Sequence, residues 1–483
     1  MKKQEEIEAA ILNLIKHGAV APGERLPSIR KLATRYRMSI TPVTEAFRHL
    51  EAQGLVESRP NAGYYVSQSV LSHPIFADQH KNLNLYFNER YEMLDERFSN
   101  YGSIAFNSKS NITIPLGATA ASTHFYPCEE LNAHLARECR QPLTDENYQV
   151  KLHDELDLKQ GIMKWMIPCG SPVSIDELSL FSGVSQALTL CLRACTEPGG
   201  LVAVESPGHV GFFFQTEFLR LKVLPVPSNP GTGLDVNAFS RMLKTGPIPS
   251  CLVLCSNFSN PTGALMPDAA KLALVKLCAR YEIPIIEDDI LGDIYFGEQR
   301  PRPLKSFDPD NVLYISGFGK ALSPALRTAW VAAGRHKDAL AFYKHLTASY
   351  IPSLLQHGLA SFLVSGAGAR HLERFRSKIE CTIQTYCRAV RESFPEGTVA
   401  ELPKGGLYLW VRLPEGMDAA LLSDQARVQG ISVSPAQIFN APQQQWNCFR
   451  INCAAVPWSD QVHEGIVRLG QIAAQLKKDT CLP

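Results

Sequence analysis

The sequence lacks three features that would place it in a specialised class of proteins. Its thirteen cysteines form no CxxC pair and stand at no metal-ligand spacing with histidines, which argues against a metal site or a disulfide framework. It contains no apolar run of about eighteen residues, and its amphipathic N-terminus shows no export signal. We therefore expect a cytoplasmic protein with reduced cysteines and no membrane span.

The chain also lacks a large net charge. A formal charge of +1 over 483 residues does not by itself favour nucleic acid or a membrane surface as a partner. Between Arg25 and Arg48, however, six basic residues oppose only one acid, Glu45. This stretch would place positive potential beside a phosphate backbone, although a solvated helix face has the same composition. The length is sufficient for about two or three domains, each with its own core.

Apolar residues at helical spacing predict three short helices near the N-terminus. Gly18 ends the first, Ser28 can cap the second, and Thr41 with Pro42 can begin the third. Residues 55–66 then read as two β-prone ends around a turn, which predicts a hairpin wing. The result is an α+β winged helix-turn-helix. The apolar positions are Ile7, Ile11, Leu14 and Ile15 in the first helix, Ile29, Leu32, Ala33 and Tyr36 in the second, and Val43, Ala46, Phe47 and Leu50 in the third.

This region resembles the GntR family of bacterial regulators. The family's pattern is found at residues 23–33, 44–48, 54–56 and 63–66. In that family the third helix enters the major groove of double-stranded DNA, so the resemblance implies a set of operator contacts. The implied contacts are Arg30, Ser39, Thr41, Thr44, Arg48, Arg59 and Gly63.

One position departs from the family's pattern. The family often carries an arginine just after the serine that opens the third helix, and this chain has Ile40 after Ser39. The departure would change which operator is read and would leave the module itself intact.

The rest of the chain divides into a linker and a large body. Residues 69–111 show no sustained period of either kind, so we interpret them as a linker between a DNA-binding domain at 1–68 and the body at 112–483. The body repeats short β-branched runs followed by helical stretches, which predicts an α/β fold with a parallel sheet. Ligands of such folds gather at the carboxyl ends of the strands.

Chemically versatile residues follow several of the predicted strands. Gly183 separates a strand from a helix whose first N–H groups could hold a phosphate. Asn260 and Asp288 each follow an apolar run, and Lys320 follows another, with Arg327 seven residues later. A lysine and an arginine at this spacing suit an imine-forming amine and a phosphate clamp. Taken one at a time, Asn260 could equally belong to an ordinary turn and Asp288 to a helix cap.

The order and spacing of these residues resemble fold type I aminotransferases over nearly all of residues 112–475. The resemblance implies that Lys320 attaches pyridoxal 5'-phosphate covalently, while Asp288 faces the ring nitrogen and Asn260 the phenolic oxygen. It also implies that Arg450 grips the α-carboxylate of an amino acid. The residues implied to hold the phosphate are Arg327, Gly183, Val184 and Ser185, with Tyr148 reaching it from the partner subunit of a homodimer.

Several positions differ from the aminotransferase pattern. Gly317 and Gly319 stand where serines are common, and Leu291 replaces a tyrosine that would donate to the phenolic oxygen. The ring-stacking aromatic is replaced by His209, which could still stack and could also titrate near neutrality, while the alternative is an ordinary histidine of a surface loop. Ala325 and Ala329 occupy slots that are often glycine. Each lost neutral hydrogen bond costs roughly 0.5–1.5 kcal/mol, so cofactor binding could survive these changes.

The two-part resemblance is that of the MocR subfamily of bacterial regulators. It implies a cytoplasmic, homodimeric transcription factor that binds DNA and uses pyridoxal phosphate to sense an amino acid or related amine. Two alternatives stay open at this point. The chain could be an active aminotransferase with an appended DNA-binding domain, or a regulator whose pocket is vestigial. The sequence names neither the effector nor the operator.

Overall fold

The computed structural model describes residues 3–16, 20–60, 62–68, 70, 112–140, 155–171, 173–347 and 350–480. The chain divides into two compact units, Met1–Arg97 and Phe98–Pro483. We refer to the described part of the first unit as the reader and to that of the second as the body. Apart from Val70, the predicted linker lies outside the described residues. Within the described ranges, no helix combines the length and the apolar character needed to cross a membrane.

The reader consists of three helices and a hairpin, which confirms the predicted winged helix-turn-helix. Ser28 caps the second helix by accepting from the Lys31 amide, and the third helix begins at Ile40, one residue before its predicted start. The apolar faces of the helices form one core, in which the Phe47 ring stacks on Tyr64 of the wing at 4.4 Å. The elements are α1 (Lys3–Lys16), α2 (Ile29–Arg35), α3 (Ile40–Ala52), β1 (Val56–Arg59) and β2 (Gly63–Val66).

The body is an α/β domain. Its strands are β3 (Ile114–Pro115), β4 (Leu178–Phe181), β5 (Leu201–Ser206), β6 (Lys222–Asn229), β7 (Gly233–Leu234), β8 (Cys251–Leu254), β9 (Ile285–Asp288), β10 (Val312–Gly317), β11 (Ala329–Ala332), β12 (Val399–Ala400), β13 (Tyr408–Arg412), β14 (Ile431–Ser432), β15 (Ser434–Pro435) and β16 (Cys448–Asn452). Its α-helices are α4 (Cys128–Glu138), α5 (Leu156–Trp165), α6 (Val184–Cys195), α7 (Val210–Phe218), α8 (Val236–Thr245), α9 (Asp268–Arg280), α10 (Lys337–Leu346), α11 (Ser353–Val364), α12 (Ala367–Ser393), α13 (Ala419–Val428) and α14 (Asp460–Thr480).

The large sheet of the body has eight strands in the order β4-β11-β10-β9-β8-β5-β6-β7. Strands β10, β9, β8, β5 and β6 are parallel, and β11 runs antiparallel between β10 and β4. The central strands are buried on both faces because they are continuously apolar. Along β8, for example, Val253 packs in one hydrophobic cluster and Leu252 in another. The carboxyl ends of the five parallel strands therefore lie along one edge of the large sheet.

A smaller sheet, in the order β12-β13-β16-β15, packs in a core with α12 and α14. The first described residues of the body join this part of the fold, because β3 pairs in parallel with β14. The chain that enters the body is thus tied to β14, and one residue separates β14 from β15, whose Ser434 pairs with Arg450 of β16.

Gly317 and Gly319 differ in the space that the surrounding atoms leave for a side chain. Gly317 ends β10 opposite Ala329, and a Cβ atom there would lie 2.9 Å from the Thr328 carbonyl oxygen. At Gly319 the nearest atom to such a Cβ would be Ile290 Cδ1, at 4.0 Å. The sheet therefore excludes a side chain at 317, whereas position 319 has room for one.

We predict that Gly317→Ala destabilises the protein by about 1–3 kcal/mol, because the strands must separate to admit the methyl group. Gly319→Ala is the matched control and should change stability by less than about 1 kcal/mol, with a small gain if the unfolded chain becomes stiffer. Urea unfolding of the full chain measures both. Equal effects of the two substitutions would contradict this interpretation of the packing.

Candidate functional site

Arg450 lies almost completely buried in the body, with only 2 % of its surface exposed. Its Nη1 donates to Asn260 Oδ1 at 2.8 Å, while Nη2 donates to the Gly117 carbonyl at 2.8 Å and to Ser434 Oγ at 3.1 Å. A buried guanidinium needs such acceptors, since desolvating a charge is costly. The structure thus brings together two of the predicted residues, Arg450 and Asn260.

Residues 116–121, which we call the covering segment, present backbone carbonyls to both cations of the pocket. Lys320 Nζ donates to the Thr119 carbonyl, and the Tyr408 hydroxyl donates to the same oxygen at 3.1 Å. The Asn452 amide holds the segment by donating to the Ala118 and Ala120 carbonyls, each at 2.9 Å. The Tyr408 ring also stacks on the Arg450 guanidinium at 4.5 Å. None of these hydrogen bonds could be predicted from the sequence, because the backbone carbonyls of a short loop carry no sequence signature.

Asp288 ends β9 and is 5 % exposed, with the Ile290 amide donating to its Oδ1 at 3.1 Å. Burial raises the pKa of Asp288 to about 6, and the charge of Lys320 acts in the opposite direction. Asp288 can therefore supply a negative charge or accept a proton in the physiological range.

A second acid, Glu205, lies fully buried at the end of β5. Its Oε1 accepts from the Cys255 amide at 2.8 Å and from Ser259 Oγ at 3.0 Å, whereas Oε2 has no hydrogen-bond partner among the described residues. Burial raises the pKa of Glu205 to about 8, and the nearby Asp288 adds to this shift. Glu205 is thus neutral at pH 7, so it does not compete with Asp288 as an anion. No spacing or motif in the sequence singles out Glu205, because its raised pKa comes from burial in the folded protein.

The predicted phosphate cradle forms where α6 begins. Gly183 precedes the helix with φ 121°, and a Cβ atom there would lie 2.8 Å from Arg327 Nη2. Only glycine lets the guanidinium approach so closely. Val184 and Ser185 open the helix, and the amides of a first helical turn lack intrahelical acceptors. Arg327 and these three residues therefore converge on a site suited to an anion.

The structure places His209 at the pocket and corrects its predicted titration. Its ring folds over Gly211, where an added Cβ atom would lie 2.7 Å away, and packs edge-on against Phe212 at 5.4 Å. Burial first, and then the charges of Lys320 and Arg450, lower the pKa of His209 to about 3. The predicted titration near neutrality was wrong, because burial and the charges of two cations disfavour a third positive charge on the imidazole.

Two of the remaining departures from the aminotransferase pattern, Leu291 and Ala329, have packing explanations. Leu291 is 4 % exposed and belongs to the core cluster that also contains Phe258 and Ile294. Ala329 is buried in the sheet opposite Gly317, whereas Ala325 is exposed. Tyr148 lies outside the described residues.

Asp289 serves the scaffold, although it adjoins Asp288. It accepts from the Asn257 amide at 2.8 Å, from Arg300 at 2.7 Å and from the Tyr314 hydroxyl at 3.0 Å. Consecutive residues at the end of a strand point to opposite faces of a sheet. The alternation of side chains along the strand therefore directs Asp288 and Asp289 to opposite faces of the sheet, so that Asp288 belongs to the pocket and Asp289 to the scaffold.

The predicted DNA contacts lie on the surface of the reader. Thr44 is half-buried, and its hydroxyl donates to the Ile40 carbonyl at 3.0 Å. At the wing, Arg59 pairs with Glu57 at 2.6 Å, and a Cβ atom on Gly63 would lie 3.6 Å from the Arg25 guanidinium. Arg25 is thus a further basic group at the wing. The exposed members of the predicted set are Arg30, Ser39, Thr41, Arg48, Arg59 and Gly63.

Comparison with known proteins supports both parts of this architecture. Residues 3–66 match the family described as bacterial regulatory proteins, gntR family, and residues 150–469 match aminotransferase class I and II. The uncharacterized HTH-type transcriptional regulators YjiR and YdcR of Escherichia coli are 32% and 30% identical. Each alignment covers 98% of this chain, together with 98% of YjiR and 99% of YdcR.

Among solved structures, LysN from Thermus thermophilus is similar to the body. This α-aminoadipate aminotransferase, solved in complex with N-(5'-phosphopyridoxyl)-L-leucine, is 27% identical, with a TM-score of 0.66 over 74% of this chain and 91% of its own. A multiple substrate aminotransferase from Thermococcus profundus, 21% identical with a TM-score of 0.70 over 81% and 97% of the two chains, shares the fold. The chain belongs to the HTH-type transcriptional regulators of MocR-type architecture, with a GntR reader followed by an aminotransferase class I and II body.

Proposed function

We propose that this regulator holds pyridoxal phosphate at Lys320 and responds to an amino acid or related amine whose acidic group is bound by Arg450. It acts in the bacterial cytoplasm as a homodimer, with Tyr148 of each copy completing the other's phosphate site. Residues 1–68 form the DNA-binding domain, 69–111 the linker and 112–483 the effector domain.

One observation carries the proposal: the covering segment joins the amine of Lys320 and the guanidinium of Arg450 in a single pocket. Asp288 ends β9, where the charge of Lys320 acts on its carboxylate, and Asn260 contacts the arginine. A lysine near an acid and an arginine suited to a carboxylate are what an amino acid sensor of this fold requires.

The residues present fit the cofactor. Pyridoxal phosphate supplies an aldehyde that bonds covalently to an amine and absorbs visible light when so bonded. The close approach of Arg327 to Gly183 at the start of α6 provides an anion cradle for its phosphate. Asp288 supplies a negative charge for the ring nitrogen, and the His209 ring offers a neutral face for stacking.

The covering segment supplies a physical link from ligand to regulation. A ligand carboxylate would compete with the Gly117 carbonyl for Arg450, and charge-assisted hydrogen bonds are the stronger kind. Bonding of Lys320 to the cofactor would likewise take its amine from the Thr119 carbonyl. The covering segment begins only a few residues after the linker. A ligand that favours one conformation of the covering segment therefore shifts the regulator's population toward the conformation that contains it.

Two other functions would be recognised by their own results. Repeated release of a keto acid from each site would identify a working aminotransferase with an appended reader. A body that binds neither cofactor nor effector would identify a vestigial pocket, in which case regulation enters elsewhere.

We predict that wild-type protein acquires a visible absorption band with added pyridoxal phosphate and that Lys320→Ala does not. The band requires a covalent bond to the lysine amine. Lys337→Ala is the matched control, because Lys337 is an exposed lysine at the start of α10. A band of full intensity in Lys320→Ala would remove this lysine from the proposed site.

The second prediction concerns Arg450→Lys. Loss of the bidentate fork should weaken carboxylated effectors at least about tenfold, which corresponds to about 1.5 kcal/mol, and should leave the matching decarboxylated amines unaffected. Spectral titration with a panel of amino acids and their amines measures this difference. Arg412→Lys, an exposed arginine on β13, controls for the substitution itself. Equal weakening of both ligand classes would argue against a carboxylate contact.

The third prediction concerns pH. Because the pKa of His209 is lowered to about 3, the ring is neutral throughout pH 5.5–8.5 and takes up no proton there. His209→Phe should therefore leave the shape of the pH profile of effector binding unchanged. If the substitution removes a step near pH 6.5 from that profile, His209 titrates and its environment is more polar than the structure indicates.

A further inference from the structure

Ile40 is an unusual residue on the surface of the reader. Its side chain is 52% exposed, and it is the only large hydrophobic side chain that is exposed among the described residues of the reader. It stands at the first position of α3, the second helix of the helix-turn-helix. The N-terminal residues of this helix contact base edges in such modules.

The neighbours of Ile40 make this end of α3 uncharged. The first turn carries no acidic side chain, and Thr41 and Pro42 follow Ile40, although the segment around them is strongly basic. The Thr44 hydroxyl donates to the Ile40 carbonyl at 3.0 Å, so its proton is committed to the helix backbone. Beside the hydroxyls of Ser39 and Thr41, Ile40 is therefore the apolar group that this end of the helix offers to a base edge.

We propose that Ile40 reads the 5-methyl group of a thymine in the major groove, which makes it a specificity-determining residue of the reader. An isoleucine side chain has no donor or acceptor for the N7, O6, N6 or N4 groups of the other bases. The thymine methyl is the apolar group that distinguishes base pairs in that groove. The inference rests on the proposed DNA-binding function and names one chemical feature of the operator.

The test uses the full chain with double-stranded operators selected from a random DNA library. Each thymine of the selected operator is replaced singly by deoxyuridine, which removes only the 5-methyl group. Wild-type protein should lose about fourfold in affinity at one position of each half-site, the factor expected for one buried methyl-sized group. Ile40→Ala should bind the thymine operator more weakly and should show no further loss at that position.

Two further variants make the outcome specific. Ile40→Val keeps a branched apolar side chain and should retain most of the thymine preference. Arg48→Ala, on the exposed side of the same helix, should weaken the thymine and deoxyuridine operators by the same factor. Ile40 is exposed, so neither substitution of it should disturb folding.

Two results would overturn the inference. Equal sensitivity of wild-type protein and Ile40→Ala to every deoxyuridine replacement would show that the isoleucine contacts no thymine methyl. Failure of wild-type protein to select any operator, with the body still binding cofactor, would instead reject the DNA-binding function on which the inference rests.

Discussion

The pocket depends on how the body satisfies a buried guanidinium. Arg450 is nearly inaccessible to water, so its N–H groups must find acceptors inside the fold. Asn260 provides one, and the backbone of the covering segment provides another at Gly117. Because the neighbouring carbonyl of Thr119 accepts from Lys320, one short loop satisfies both the guanidinium and the amine. Any ligand that binds these cations must therefore compete with the loop, and the loop's position then depends on ligand.

Of the two buried acids near the pocket, Asp288 is the one that supplies a negative charge at pH 7. Glu205 and Asp288 end strands β5 and β9, and burial raises the pKa of each. The larger shift at Glu205 keeps it neutral at pH 7, while Asp288 ionises above about pH 6 with Lys320 nearby. A single anion near the ring nitrogen is the electrostatic condition that the proposed pyridoxal phosphate would need. Asp289 pairs with Arg300 at 2.7 Å on the scaffold side, and its charge adds to the raised pKa of Asp288.

Much of the fold was predictable from local patterns. The reader's helices follow from apolar spacing around Phe47 and Leu50, and the strand-end placement of Asp288 and Lys320 follows from the apolar runs before them. What the sequence did not reveal depends on tertiary contact. The covering carbonyls have no side-chain signature, and the low pKa of His209 arises from burial beside two cations that are distant in sequence. Gly317 is explained only by its partner strand, since the excluded atom is the Thr328 carbonyl.

The most direct measurement of coupling between pocket and reader is the affinity of the effector with and without saturating operator DNA. Thermodynamic linkage requires that, if the effector changes operator affinity by some factor, the operator changes effector affinity by the same factor. For wild-type protein we predict that the operator changes the affinity of the effector at least about fivefold, and that the effector changes the affinity of the operator by the same factor. For Lys320→Ala we predict no change in either affinity. An effector affinity that is identical with and without operator would show that the pocket and the reader act independently.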